Sequence, residues 1–138
     1  MTFRVSDDLW QAKARDVIEI APFDVIFWMK ASPPKAVFGE NTVIDFPIPD
    51  DDQGIPQERL MELWALTGAV KRKKVLTVCQ AGQNRSGLAS AMILMHRGLS
   101  AQQAIMTVQA QNGALWNEGF VRQLYEIERS RAYGGTGL

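Results

Sequence analysis

This 138-residue sequence holds one cysteine and one histidine. A single cysteine excludes an internal disulfide. A zinc site would have to be assembled from one thiolate and His96, without the paired spacing such sites use. No metal or other cofactor is therefore expected. Charge of neither sign is in excess, since 15 Lys plus Arg balance 15 Asp plus Glu, and no basic field argues for nucleic acid or an anionic membrane. No apolar run approaches the roughly 18 residues of a membrane span, and the first residues lack the apolar core of a signal peptide. A cytoplasmic location is expected, where a free thiol stays reduced. Nothing specifies an oligomeric state. A chain of this length can bury its own core as one domain. Residues 1–131 are read as that domain and residues 132–138, with several glycines, as a flexible tail.

What is present concentrates in Val75-Leu-Thr-Val-Cys-Gln-Ala-Gly-Gln-Asn-Arg-Ser-Gly87. An apolar strand runs into Cys79, five residues form a loop, and Arg85 and Ser86 open a helix. This C-x5-R-S spacing suits phosphoryl transfer onto sulfur. A thiolate is the nucleophile, because a neutral thiol attacks poorly. Backbone N–H groups at a helix start favour the thiolate and bind a phosphate dianion. Arg85 adds a planar fork matched to two phosphate oxygens. At this composition, a chance match to Arg, Gly and Ser/Thr at those offsets arises about once in two thousand trials. An Arg at a helix start is also unfavourable without an anion beside it. The pattern reads as a site.

The remaining segments place that loop. Residues 17–20 and 23–28 carry apolar runs that read as strands, or as a strand after a short helix, and residues 31–35 read as a loop. Residues 42–47 read as a short buried strand ended by Pro47 and Pro49, followed by an acidic surface loop over residues 50–56. A helix is expected from Pro56 to about Val70, with Leu60, Leu63, Trp64 and Val70 inward. Lys71-Arg-Lys-Lys74 reads as solvated cations at a helix end rather than a nucleic-acid patch. The helix over residues 86–97 carries Leu88, Ala91, Met92 and Met95 at core spacing. Ser100 and Gln103 form a capping box for a helix to about Gln111. The last helix follows Asn117 and Glu118, with Phe120, Leu124 and Ile127 inward. The four tryptophans read as core or half-buried, with the rim of the pocket as the alternative for Trp116 beside Asn117, and His96 as a cap on helix-end carbonyls. Strands first and helices last indicate an α/β fold with a central, mostly parallel sheet flanked by helices.

From Thr42 to about Glu128 the sequence resembles the dual-specificity branch of the cysteine-dependent protein tyrosine phosphatases. Besides the loop, Phe46-Pro-Ile-Pro-Asp50, Gly98-Leu-Ser-Ala-Gln-Gln-Ala104 and Asn117-Glu-Gly-Phe-Val-Arg-Gln-Leu124 are similar to segments of that family. The low-molecular-weight phosphatases carry the same loop at the N-terminus, with the acid downstream, and fit less well. The length suits a stripped-down prokaryotic or viral version. The resemblance implies attack by Cys79 on a phosphomonoester, giving a cysteinyl-phosphate that water hydrolyses. It assigns the N–H groups of Gln80, Ala81, Gly82, Gln83 and Asn84, with Arg85, to the phosphate, and Ser86 to the sulfur. It assigns Asp50 as the general acid ahead of Asp51 and Asp52, and Asn117 as a tie between the last helix and the phosphate loop. One departure is Val78, where the family has a His that helps hold the thiolate. The expected partner is a phosphorylated protein or another phosphomonoester. An RNA 5′-phosphatase, a phosphoinositide phosphatase and a catalytically silent phosphate-binding module are the alternatives.

Overall fold

The computed structural model describes residues 2–14, 22–30, 41–81, 83–111 and 113–134. Strands β1 (Thr2–Ser6) and β2 (Leu9–Lys13) form an antiparallel hairpin. Its two-residue turn is Asp7-Asp8, with Asp8 at φ +57, a left-handed conformation that Asp tolerates better than most residues. These two strands were not expected: their short polar–apolar mix carries no long periodic signal. The runs at residues 17–20 and 31–35 lie outside the described residues.

Strands β3 (Val25–Trp28), β4 (Thr42–Asp45) and β5 (Val75–Cys79) complete a sheet of order β1-β2-β5-β3-β4, parallel except for the β1 hairpin. β5 pairs with β2 on one side and β3 on the other, and all five of its residues are buried. β4 is not the buried strand expected. It lies at the sheet edge with its residues exposed or half-buried, and burial begins just after it, at Phe46 and Ile48.

Helices α1 (Gln57–Ala69), α2 (Asn84–His96), α3 (Ala101–Gln109) and α4 (Glu118–Gly134) pack on one face of the sheet. Alternation along the strands separates two cores. Val25, Phe27, Val75 and Cys79 meet the helices, whereas Ile26, Trp28, Leu76 and Val78 form a second cluster with Ala12 and Phe23. The core stripe expected of α2 was too narrow. Ala89, Ser90, Ile93 and Leu94 are buried as well, because the helix is enclosed by the sheet and by α1, α3 and α4. Each large apolar side chain so buried contributes about 1.5–3 kcal/mol.

The helix ends follow local chemistry. Ser100 Oγ accepts from Gln103 N at 3.1 Å while Ser100 N donates to Gln103 Oε1 at 2.9 Å, a complete capping box. α4 runs on to Gly134, past the boundary expected at residue 131. The basic turn after α1 is held from behind. Arg97 donates to the carbonyls of Lys71 (2.6 Å), Lys73 (3.3 Å) and Asp7 (2.6 Å), which leaves the side chains of Arg72 and Lys73 in solvent. His96 caps a neighbour rather than its own helix. Its Nε2 lies 2.8 Å from the Trp64 carbonyl of α1, and its ring stacks on the Trp64 indole at 3.7 Å. Among the described residues no helix is long and apolar enough to cross a membrane, and no cluster of three potential metal ligands occurs.

Candidate active site

The carboxyl ends of parallel strands are where open α/β sheets bind ligands, and β5 ends there on Cys79. The thiol is 1% exposed, and its Sγ lies 3.3 Å from Ser86 Oγ, itself fully buried in the first turn of α2. Gln83, the residue before α2, makes no side-chain cap, and no acidic residue occupies the first turn. The helix start therefore keeps the positive potential of its N–H groups for an anion. Gln80 and Ala81 are exposed on the loop, and Gly82 lies outside the described residues.

The loop is braced from beneath. The Gln83 carbonyl accepts from Gly87 N at 3.1 Å and Leu115 N at 3.3 Å, with Gln11 Nε2 at a long 3.5 Å. Gln11 Oε1 in turn accepts from Ser90 Oγ at 3.0 Å, and Ser90 Oγ lies 2.9 Å from Thr77 Oγ1. These polar side chains are buried and satisfied, so the network fixes the strand, the helix and the loop exit in one arrangement.

Two contacts bring the acidic segment to this loop. Arg85 Nη1 donates to the Ile48 carbonyl at 3.1 Å, which holds the half-buried guanidinium and leaves it further N–H donors. Asn84 Nδ2 donates to Asp50 Oδ2 at 3.0 Å, while Asn117 Nδ2 donates to Asp50 Oδ1 at 2.7 Å. Both amide orientations are fixed by backbone donors. Asn84 Oδ1 accepts from Asn117 N at 2.9 Å, and Asn117 Oδ1 accepts from Phe120 N at 3.1 Å, an N-cap of α4. Asp51 and Asp52 are placed differently. Asp51 Oδ1 accepts from Gln53 N within its own turn, and Asp52 Oδ1 from Gln53 Nε2 in solvent.

The rest of the acidic loop is fastened to α4. Gln123 binds Ile55 through both backbone groups, Nε2 to the carbonyl at 2.7 Å and Oε1 from the N–H at 3.1 Å. Arg122 Nη2 donates to the Gln53 carbonyl at 2.8 Å, and Asn117 Nδ2 reaches the Asp51 carbonyl at 2.9 Å. Gly119 lets the backbones touch: a Cβ there would stand 2.4 Å from Gly54 N and 2.5 Å from the Asp52 carbonyl oxygen. Phe46 anchors the other end, covered by the Arg59 guanidinium at 3.8 Å from its ring centre.

Cys79, Ser86, Arg85, Asn84 and Asp50 thus form one cluster. Asn117 ties the last helix to the phosphate loop as expected, and to the acidic loop besides. Val78 points to the opposite face, fully buried beside Ile26, Trp28 and Leu76. Three contributors were not read from the sequence: Gln11, the Asn84 side chain and Gln123. A Gln between apolar residues in a strand is the one signal that could have singled out Gln11. Of the core and rim places read for Trp116, the exposed one holds. It is 63% exposed, and its Nε1 donates to Gln83 Oε1 at 3.3 Å. Leu115 before it has φ +60, a left-handed conformation that costs a branched residue about 1–2 kcal/mol.

The family described as dual specificity phosphatase, catalytic domain, matches residues 11–130. Human DUSP28 is similar in structure, with a TM-score of 0.80, 24% identity and coverage of 95% of each chain. A mouse putative dual specificity phosphatase complexed with zinc tungstate has a TM-score of 0.77 and 24% identity, over 97% of this chain and 90% of its own. Tk-PTP in its active form has a TM-score of 0.73 and 25% identity, over 93% and 96% respectively. No curated protein matches the sequence significantly.

Proposed function

This chain belongs to the dual specificity phosphatase family and is a cysteine-dependent phosphatase, and we propose that it hydrolyses phosphomonoesters through a phosphorylated Cys79. One observation carries the reading: Cys79 Sγ, the start of α2, Arg85 and the Asp50 carboxylate are drawn together from three segments of chain by specific hydrogen bonds. In the first step the thiolate attacks phosphorus, and the S–P bond forms as the bond to the leaving oxygen breaks. Arg85 and the loop N–H groups hold the phosphoryl oxygens, where preorganised donors act most strongly. Asp50 gives its proton to the leaving oxygen. Each carboxylate oxygen has two lone pairs, so that proton coexists with both amide hydrogen bonds. In the second step water attacks phosphorus, Asp50 takes its proton, and the S–P electron pair returns to sulfur beside Ser86 Oγ.

The substrate is a phosphorylated protein or another phosphomonoester, and a cytoplasmic setting would keep the lone thiol reduced. Turnover of an aryl phosphate, with a phosphorylated protein trapped by acid quench and seen by mass spectrometry, is the test. Cys79→Ser should abolish both while leaving the fold and vanadate binding intact, and EDTA should have no effect. Retained turnover in Cys79→Ser, or a requirement for a divalent ion, would overturn the mechanism. Oxyanion binding without turnover in the native chain would favour the silent module.

A further inference from the structure

We infer that Trp116 is the aromatic wall of the substrate site, selecting phosphomonoesters whose leaving group is an aryl ring. The inference rests on the phosphatase reading above and adds to it the class of leaving group. Among the described residues, Trp116 and Met106 are the large hydrophobic side chains left exposed, at 63% and 60%. Met106 lies on the outer face of α3, but Trp116 stands beside the phosphate loop. Its indole N–H donates to Gln83 Oε1, on the residue that precedes α2. That bond satisfies the polar end of the ring and fixes its position, and no aromatic or guanidinium group among the described residues stacks on its faces.

The backbone supports the same conclusion. Leu115, fully buried against Gly87, adopts φ +60, so that two successive residues turn opposite ways, one into the core and the next to solvent. Its N–H is bound by the Gln83 carbonyl and its carbonyl by Gln109 Nε2 at 3.2 Å. A strained turn that withholds the largest apolar side chain from the core points to a role at the surface. Beside an oxyanion loop, a fixed indole face offers stacking to a planar leaving group and little to an alkyl one. Among the described residues, the side chain bonded to the ring is the neutral amide of Gln83, and the next residue, Asn117, is bonded to Asp50, so neither contact brings a cation. A nucleic-acid end would need cations there for the following phosphates. The aryl ring of a phosphotyrosine fits this wall better.

The test compares a phosphotyrosine peptide, the same peptide with phosphoserine, and a 5′-phosphorylated oligonucleotide. Trp116→Ala should lower kcat/KM for the phosphotyrosine peptide about tenfold, the scale of one lost aromatic stack. The phosphoserine peptide should lose much less, and Trp116→Phe should restore most of the aryl preference. Peptide affinities measured on the Cys79→Ser variant, with and without Trp116→Ala, read the wall without any chemistry. They therefore separate a failure of turnover from a failure of this inference. Equal losses on both peptides, no loss on either, or a loss confined to the oligonucleotide would overturn it.

Discussion

The two loops that meet at the site are built in opposite ways. The phosphate loop is a local object. Cys79 ends a strand buried on both sides, Ser86 sits seven residues on, and the helix between them and the core is enclosed on every face. The acidic loop has local bonds only in the turn around Gln53, and its attachment to the rest of the chain is long-range. Asp50 is held by Asn84 and Asn117, Gln53 by Arg122, and Ile55 by Gln123, partners 34 to 69 residues away. One loop is a strand–helix junction, and the other is a strap buttoned onto α4. Cys79 and Asp50 can therefore be perturbed separately.

Asp50→Asn tests the difference most strongly. Protonation matters little for an aryl phosphate with a very good leaving group and by about 10²–10⁴-fold for a poor one. The variant should slow the poor substrate selectively and flatten the basic limb of its pH–rate profile, whereas Asp51→Asn and Asp52→Asn should not. Leaving-group dependence in either neighbour would move the acid along the strap and leave the comparison standing; its absence from all three would break it. Arg85→Lys is the counterpart on the phosphate loop. It should cost on the order of 10²–10³-fold whatever the leaving group, because a point cation cannot replace the fork. Near-native rates in a folded variant would remove Arg85 from the phosphate site.

Gly119→Ala sharpens the comparison without touching either loop's chemistry. Alanine gains about 1 kcal/mol of helix propensity over glycine. Its Cβ, however, would enter the backbone at Gly54 and Asp52, an overlap that costs about 1–3 kcal/mol to relieve. The strap should shift off α4, and poor-leaving-group turnover should fall about tenfold or more while vanadate affinity, measured by titration, holds. Equal damage to both would mean that the loops move together. The smallest effect is far from the site. Burial holds the His96 pKa below its ordinary 6.5, against the hydrogen bond to the Trp64 carbonyl and assisted by Arg131 and Lys71. Above pH 6.5 the ring is neutral whether the chain is folded or not. Below it the unfolded chain binds a proton that the folded chain resists, so stability falls with further acidification. Chemical denaturation between pH 7 and 5 should show that loss, and His96→Gln should flatten it.

Much of this was legible because its causes are local. Cys79, Arg85 and Ser86 announce themselves by spacing, since one strand and one helix carry them. The capping box at Ser100 and the inward residues of the last helix follow from periodicity in the same way. The edge position of β4 was not legible, because Val43 and Ile44 are as apolar as a central strand requires and only the strand order exposes them. The β1–β2 hairpin escaped notice for the reverse reason, being short and half polar.

Gln11 and Gln123 show where reading a sequence ends. Each is an ordinary amide until the chain folds and sets it against a backbone 68 to 72 residues away. Val78 adds a constraint of the same kind. It lies in the second core on the face opposite the thiol, so a His there would have to leave the helix side to the strand's other neighbours. The sequence by itself singled out Cys79, Arg85, the helix that follows their loop and the class of fold, because hydrophobic period and helix-end electrostatics act within a few residues. The tertiary structure alone decided how Asp50 is held against the loop, what fastens its segment to α4 and which partner anchors the exposed Trp116. Those choices depend on hydrogen bonds and close packing between distant segments, which exist only once the core has brought them together.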